Sequence, residues 1–329
     1  MSTPNIREIA ADLAAVAALM EIADNLGIFH LLTPGATVSA AELAGAAELP
    51  EHGVTSFLEA LVAAGLLEWT ESPRRFRVSD DFADRTYEAG YLSWSLGANR
   101  PFIEHAAEFL RDPVGAAAAH RRNGRHVAVS SRWIGAKGFY PAAIDTIVAV
   151  APRRIVDLGA GAAGLLIDLL GRLPEATGVA LDLSGDACRE AGRRAAEAGL
   201  AERLEVVERS VESLAQDPSP VRGADVIHAG FVFHDVIQDA DVFDLVLKNC
   251  HEAMRPGGIM AITDAVPYAP DERERRFSAL FTYLHASSMG VRLPSEEEWL
   301  DRFTAAGFAQ AECRAHRFPT GRLFVATKS

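Results

Sequence analysis

Cysteine is scarce in this sequence. There are 3 in 329 residues, Cys188, Cys250 and Cys313, far apart and without a CxxC pair. That excludes a disulfide framework or a zinc ribbon and fits a reducing compartment, so a cytoplasmic protein is expected. No uncharged apolar run is long enough to span a bilayer. No basic stretch followed by an apolar run opens the sequence, so no secretory leader is expected. Positive charge is also short: 32 Lys and Arg stand against 45 Asp and Glu, a net charge of −13. A field of that sign repels phosphate backbones and anionic membranes, which argues against nucleic acid or a membrane surface as the main partner. Internal repeats and low-complexity tails are missing too, apart from an alanine patch at Ala116–Ala119. Core material is plentiful, with 49% hydrophobic and 23% charged residues. The length allows one large domain or two ordinary ones.

The first third reads as helical. Ile9, Leu13, Val16, Leu19, Met20, Ala23, Leu26 and Ile28 recur at helical spacing. Ser39 and Glu42 have the spacing of a capping box ahead of a second helix. A third helix, Val54–Ala64, stops at Gly65, and LLEW…RFRVS reads as a hairpin. Helix, helix, helix, hairpin is the winged-helix pattern. Residues 82–150 are again helical, with a polar interruption around His120–Arg125. From Arg153 the pattern changes to short apolar runs (RRIVDL, GVALDL, RLEVVE, ADVIHAGF, GIMAITDA) alternating with helices at Leu165–Leu173, Asp186–Ala198 and Asp239–Met254. That alternation predicts an α/β fold with a parallel sheet covered on both faces. The final pair, QAECRAHRF and GRLFVATK, joined at Pro319-Thr320-Gly321, predicts an antiparallel finish. The expected domains are residues 1–100, a helical linker lining the substrate at 101–150, and 151–329.

The segment IVDLGAGAAG carries the sharpest chemical signal. Gly159, Gly161 and Gly164 allow a tight turn from strand to helix with the backbone close to a ligand. The letters also fit the dinucleotide pattern GxGxxG, which alone is weak. Asp157 tilts the choice. A carboxylate two residues before the first glycine suits the ammonium of S-adenosylmethionine and repels a pyrophosphate, which prefers a bare helix N-terminus. Asp182, ending the next strand with Leu183 beside it, suits two ribose hydroxyls of either cofactor.

VDLGAGAAG, then LDL, ADVIHAGFVFHD, LKNCHEAMRPGGIMAITDAV and EEEWLDRFTAAGF together resemble, over nearly the whole chain, the class I small-molecule O-methyltransferases. The resemblance implies a Rossmann-like domain with a mostly parallel seven-stranded sheet and an antiparallel last strand. It also implies an N-terminal winged-helix dimerisation domain, hence a homodimer. Two departures stand out: Ala163 replaces the usual third glycine of the loop, and Arg209-Ser210 replaces the Gly-Asp that follows the third strand. Adenine recognition then falls to Ser210, Glu208 or backbone groups.

FVFHD follows the carboxyl end of a central strand, where open α/β sheets bind ligands. In the O-methyltransferases that this chain resembles, the histidine matching His234 is the general base toward a phenol, a task that suits imidazole. A structural helix-capping histidine is the plainer alternative. His285, in LFTYLHASSMGVRLPSEEEW, sits among Leu280, Phe281, Leu284 and Met289, where a histidine is ordinarily a core residue. Paired with FHD, that segment is similar to the 2-oxo acid C-methyltransferases of non-ribosomal peptide biosynthesis, involved in antibiotic production. That resemblance implies His234 and His285 as ligands of a transition metal, Fe or Zn. It implies methyl transfer to C3 of a small 2-oxo acid through a metal-stabilised enolate. Asp235 is then a candidate to orient a metal-bound water or a histidine, as carboxylates beside metal ligands do, and a bound 2-oxo acid needs an arginine for its carboxylate. Arg122 aligns best among Arg121, Arg122, Arg125 and Arg132. The alternative is metal-free O-methylation of a phenol or hydroxyl with His234 as base. A winged-helix regulator, suggested by Arg74, Arg75 and Arg77, and a nicotinamide oxidoreductase are the competing classes. His30, His52, His105, His228, His251 and His316 have no partner at metal spacing in the sequence.

Overall fold

The computed structural model describes residues 6–71 and 75–329. It divides into two compact units: residues up to 106 with 118–138, and residues 107–117 with 139–329.

The first unit begins with the helix Ile6–Asn25, which buries Val16, Met20 and Ala23. The helix Ala40–Ala47 carries the capping box: the Glu42 amide donates to Ser39 Oγ and the Ser39 amide to the Glu42 carboxylate. The third helix runs from Glu51 to Ala63, three residues earlier than its apolar periodicity suggests. Its first turn, Glu51-His52-Gly53, has no apolar residue to mark it, and Pro50 ends the preceding loop. The hairpin consists of β2 (Leu67–Trp69) and β3 (Arg75–Val78). It gains a partner that the sequence reading did not include, β1 (Thr37–Ser39), giving the antiparallel order β1-β3-β2. Met20, Ile28, Leu43, Leu58, Leu61 and Phe76 fill this unit's core. Arg75 is paired with Glu42, and Arg77 with Asp80 and Glu68, so these arginines are already neutralised within the fold. Arg74, the third of the wing set, lies outside the described residues.

In the second unit seven strands form one sheet in the order β6-β5-β4-β7-β8-β10-β9. They are β4 (Arg154–Leu158), β5 (Thr177–Asp182), β6 (Leu204–Glu208), β7 (Val226–Gly230), β8 (Ile259–Ala265), β9 (Gln310–Ala315) and β10 (Gly321–Thr327). The first five pair in parallel, and β10 runs antiparallel to β8 and β9. The sequence explains the layering. β4 and β8 are mostly apolar and almost wholly buried, because helices cover both faces of a parallel sheet. Edge strand β9 alternates Glu312 and Arg314 with smaller residues, which suits a half-solvated edge. Val156, Leu158, Val179, Ile227, Ile262 and Phe324 meet Phe233, Phe243, Trp299 and Phe303 in the core. The chain leaves β4 toward β5 and β6, then returns to β7 on β4's other side. The strand order therefore reverses between β4 and β7, and ligands of open α/β sheets bind at the carboxyl ends of such a switch point. Among the described residues no helix is long and apolar enough to cross a membrane.

Candidate functional site

Asp157 stands near the end of β4, and the chain turns at once through Gly159. The Gly159 and Ala160 amides both donate to the Leu181 carbonyl, which ties the turn to β5. Gly159 has φ +70°, and a Cβ there would run into the Val232 side chain. Two separate constraints thus require glycine. Gly161 is left-handed as well, and so is Ala163, at φ +55° just before the helix Gly164–Arg172. The position where the resembled family has glycine therefore keeps the glycine-favouring conformation with an alanine, whose methyl is fully buried.

Asp182, at the end of β5, holds the turn from the other side. Its Oδ2 accepts from the Gly161 amide at 2.8 Å and its Oδ1 from the Ser184 amide at 2.9 Å. Leu183 stands beside it in the chain with 73% of its surface exposed. Ser210 opens the turn Val211–Ala215, its carbonyl accepting from Ser213 Oγ. Arg209 reaches back to Asp217 and Ser213.

Asp157 has a partner that the sequence did not reveal. In the parallel pairing of β4 with β7 it stands opposite His228. His228 Nδ1 donates to Asp157 Oδ1 at 2.7 Å, with both side chains buried. His228 Nε2 is buried and has no hydrogen-bonding partner among the described residues. Such an atom costs on the order of 1–3 kcal/mol.

Beyond β7 lie Phe231, at φ +54°, and the short helix Phe233–Val236. His234, on that helix, is 7% exposed. Its ring is held by Asp264 on the neighbouring β8: Nδ1 donates to Oδ1 at 2.7 Å, and the His234 backbone amide donates to Oδ2 at 3.0 Å. The Ala265 amide adds a third bond to Asp264, which is fully buried. The orienting carboxylate is thus Asp264 and not Asp235, whose side chain is 63% exposed with Oδ1 at 3.8 Å from His234 Nε2. In the sequence, Asp264 appears as a lone acid at the end of the apolar run GIMAIT. A carboxylate there, next in the sheet to the strand that leads into FHD, is the signal that was available.

His285 does come together with His234. It starts a widened helical turn, His285–Met289, after the helix Glu272–Leu284. Its Nδ1 donates to the Phe281 carbonyl at 2.7 Å, and its ring stacks on Phe281 at 4.0 Å. The two imidazoles are 5.3 Å apart and nearly perpendicular. Each has Nδ1 tied to an oxygen. Metal-ligating histidines are held in this way, one ring nitrogen on a carboxylate or carbonyl and the other on the ion. A proton-accepting histidine is held by a carboxylate in the same manner. The donor set thus fits a metal ion and fits a base. Arg122 belongs to the first unit, where its guanidinium donates to Asn99 Oδ1 at 3.2 Å and lies over the Phe102 ring. Arg125 in the same unit is occupied by Asp24 and Asn25.

Residues 156–260 match the family model described as a methyltransferase domain. The chain is 29% identical to 2,7-dihydroxy-5-methyl-1-naphthoate 7-O-methyltransferase of Streptomyces carzinostaticus, covering 78% of this chain and 79% of that one. It is 25% identical to 2-ketoarginine methyltransferase of Streptomyces arginensis, covering 85% and 84%. It is 34% identical to aclacinomycin 10-hydroxylase RdmB of Streptomyces purpurascens over 53% of this chain, and that match spans under half, 45%, of the relative's length. Among solved structures, PigF with SAH superposes at TM-score 0.59 over 98% of this chain and 97% of that one, at 23% identity, a likeness of fold.

Proposed function

We propose that this chain is an S-adenosylmethionine-dependent methyltransferase of the class I small-molecule O-methyltransferase type, and that it methylates a hydroxyl group of a natural product with His234 as general base; the methyltransferase-domain match and the likeness to a naphthoate O-methyltransferase support the reading. The observation that carries the reading is the buried His234–Asp264 pair. With Nδ1–H committed to Asp264, Nε2 presents a lone pair. It takes the proton of the acceptor's O–H as the oxygen attacks the sulfonium methyl in line. The carbon–sulfur bonding pair passes to sulfur, leaving a methyl ether and S-adenosylhomocysteine. Asp264 stabilises the imidazolium so formed, and holding the two reactants together supplies much of the remaining acceleration. On the cofactor side, Asp157 takes the ammonium, the turn Gly159–Gly161 lets the backbone approach, Asp182 takes the ribose hydroxyls, Leu183 covers the adenine and Ser210 lies toward its edge.

A second reading has its own observation, the tethered His285 beside His234. Here His234 and His285 would hold an iron or zinc ion, and the acceptor would be a small 2-oxo acid methylated at C3. When bound, the ion supplies Lewis-acid stabilisation of negative charge on the acceptor's oxygens. The full-length likeness to 2-ketoarginine methyltransferase supports this reading, and the naphthoate O-methyltransferase supports the first. Arg122 for the acceptor's carboxylate, a supporting role for Asp235 and a homodimer through the N-terminal unit rest on the sequence alone.

The deciding experiment incubates the protein with S-adenosylmethionine and, separately, a dihydroxynaphthoate and a panel of 2-oxo acids. Elemental analysis of wild type and His285→Ala accompanies it. A methyl ether formed without bound metal, and undiminished in His285→Ala, sustains the first reading. Stoichiometric metal lost in His285→Ala, with product only from 2-oxo acids, replaces it with the second. Methylated product from neither class refutes both.

A further inference from the structure

We infer that His228 is a positioning residue for cofactor binding: its Nδ1–H pins one oxygen of Asp157 so that the other is set for the ammonium of S-adenosylmethionine. The inference rests on the proposed role of Asp157.

The sheet register isolates this pair. Along the β4–β7 ladder the rungs on either side are Val156 with Ile227 and Leu158 with Ala229, all apolar. Asp157 and His228 form the polar rung between them, one residue before the end of β4 and midway along β7, on the two strands that flank the switch point. Side chains of neighbouring residues in register project from the same face, and the 2.7 Å Nδ1–Oδ1 bond follows from that placement. A carboxylate that buried, with one oxygen fixed, has a defined direction for its second oxygen.

A purely structural account leaves two facts unexplained. Burying a polar pair in place of an apolar rung brings little or no stability, because desolvation offsets the attraction. This pair also leaves His228 Nε2 buried without a partner. Gly230 adds a further observation. It is two residues on, on the same face, and a Cβ there would meet His228 Cε1 at 3.3 Å and Nε2 at 3.9 Å. The far edge of the imidazole therefore leans toward the end of β7, and glycine at 230 spares it a tight side-chain contact. Those features fit a ring held for a ligand at the sheet's carboxyl edge. In the sequence His228 has no visible partner, because the pairing of β4 with β7 joins positions 71 residues apart.

The test compares two ligands that differ at the amino-acid end. S-adenosylhomocysteine retains it. 5′-Methylthioadenosine keeps the adenosine and the thioether but lacks it. Calorimetric affinities are measured for wild type, His228→Leu and His228→Asn, the asparagine amide restoring a donor near the Nδ1 position. His228→Gln is the second donor-displaced variant should leucine prevent folding. The expected result is a loss of tenfold or more in affinity for S-adenosylhomocysteine in His228→Leu or His228→Gln. Affinity for 5′-methylthioadenosine stays unchanged, and His228→Asn recovers most of the loss. Equal losses for both ligands, or no loss for S-adenosylhomocysteine, overturn the inference while leaving the cofactor reading intact. Wild-type protein that binds neither ligand overturns both.

Discussion

Replacing Asp264 by asparagine tests the base assignment without changing the volume of the site. The carboxylate accepts three hydrogen bonds, from His234 Nδ1, the His234 amide and the Ala265 amide. An asparagine amide in the same place has a single acceptor oxygen, and its NH2 group faces a donor. The bond most affected is the Nδ1 contact, which gains charge as His234 takes the proton. A hydrogen bond to a charged group is worth about 1.5–3 kcal/mol. At ~1.4 kcal/mol per decade, a loss of that size in the transition state lowers kcat by roughly 10- to 150-fold. Removing the base itself in His234→Ala costs more, on the order of 10²–10⁴-fold. KM for S-adenosylmethionine is expected to stay constant in both variants, because neither residue contacts the cofactor in this account. The double variant is expected to be no slower than His234→Ala, since Asp264 acts through His234 and the two effects are not additive. Steady-state methyl transfer to whichever acceptor turns over supplies these numbers. A proton NMR spectrum supplies a readout independent of the acceptor: the Nδ1–H resonance, downfield in a 2.7 Å bond to a carboxylate, moves upfield in Asp264→Asn. A folded Asp264→Asn protein with wild-type kcat, or a double variant whose loss is the product of the single losses, refutes the reasoning.

Other outcomes follow from the geometry. Asp182→Ala removes the acceptor of the Gly161 and Ser184 amides; affinity for S-adenosylhomocysteine falls roughly 10- to 150-fold by calorimetry, corresponding to ~1.5–3 kcal/mol. Gly159→Ala forces a left-handed alanine into the Val232 side chain. It costs at least ~1–2 kcal/mol of stability, read as a lower thermal midpoint together with weakened cofactor binding. Burial, helped by the nearby Arg322 charge, pushes the His316 imidazole down from 6.5 to about 4. The unfolded chain then binds the extra proton first. This contribution is complete above about pH 6.5 and is lost as pH falls toward 4, about 3.5 kcal/mol in all at ~1.4 kcal/mol per unit. His251, also lowered by burial, adds in the same direction. His316→Leu is expected to flatten the denaturant-midpoint profile between pH 6.5 and 4; an unchanged slope contradicts it.

Local patterns told most of the fold. The capping box at Ser39 and Glu42, the glycine turn after Asp157, the short apolar runs and the antiparallel last pair are each written within a few neighbouring residues, and each was legible. Helix ends were less so where the first turn is polar, as at Glu51–Gly53, and a three-residue strand such as β1 is too short for any periodicity. The candidate site divides along the same line. His234 and His285 announced themselves through their surrounding letters. Asp264 and His228 did not, because what gives them meaning is their neighbour across the sheet. Asp264 is 30 residues from His234, and His228 is 71 from Asp157. A single sequence carries no register between strands, so polar residues inside apolar runs read as isolated until the pairing is known. Asp235, adjacent to His234 in sequence, was for that reason the natural choice for the orienting acid, although its side chain turns out to be exposed.

The account stands on a carboxylate and a glycine turn at the β4–β7 switch point that receive a sulfonium amino acid. The most direct measurement is an isothermal titration of wild-type protein with S-adenosylhomocysteine, beside a matched titration with NAD. One saturable site per chain for S-adenosylhomocysteine and no heat from NAD are predicted. Silence with S-adenosylhomocysteine, or NAD binding at equal strength, contradicts the account.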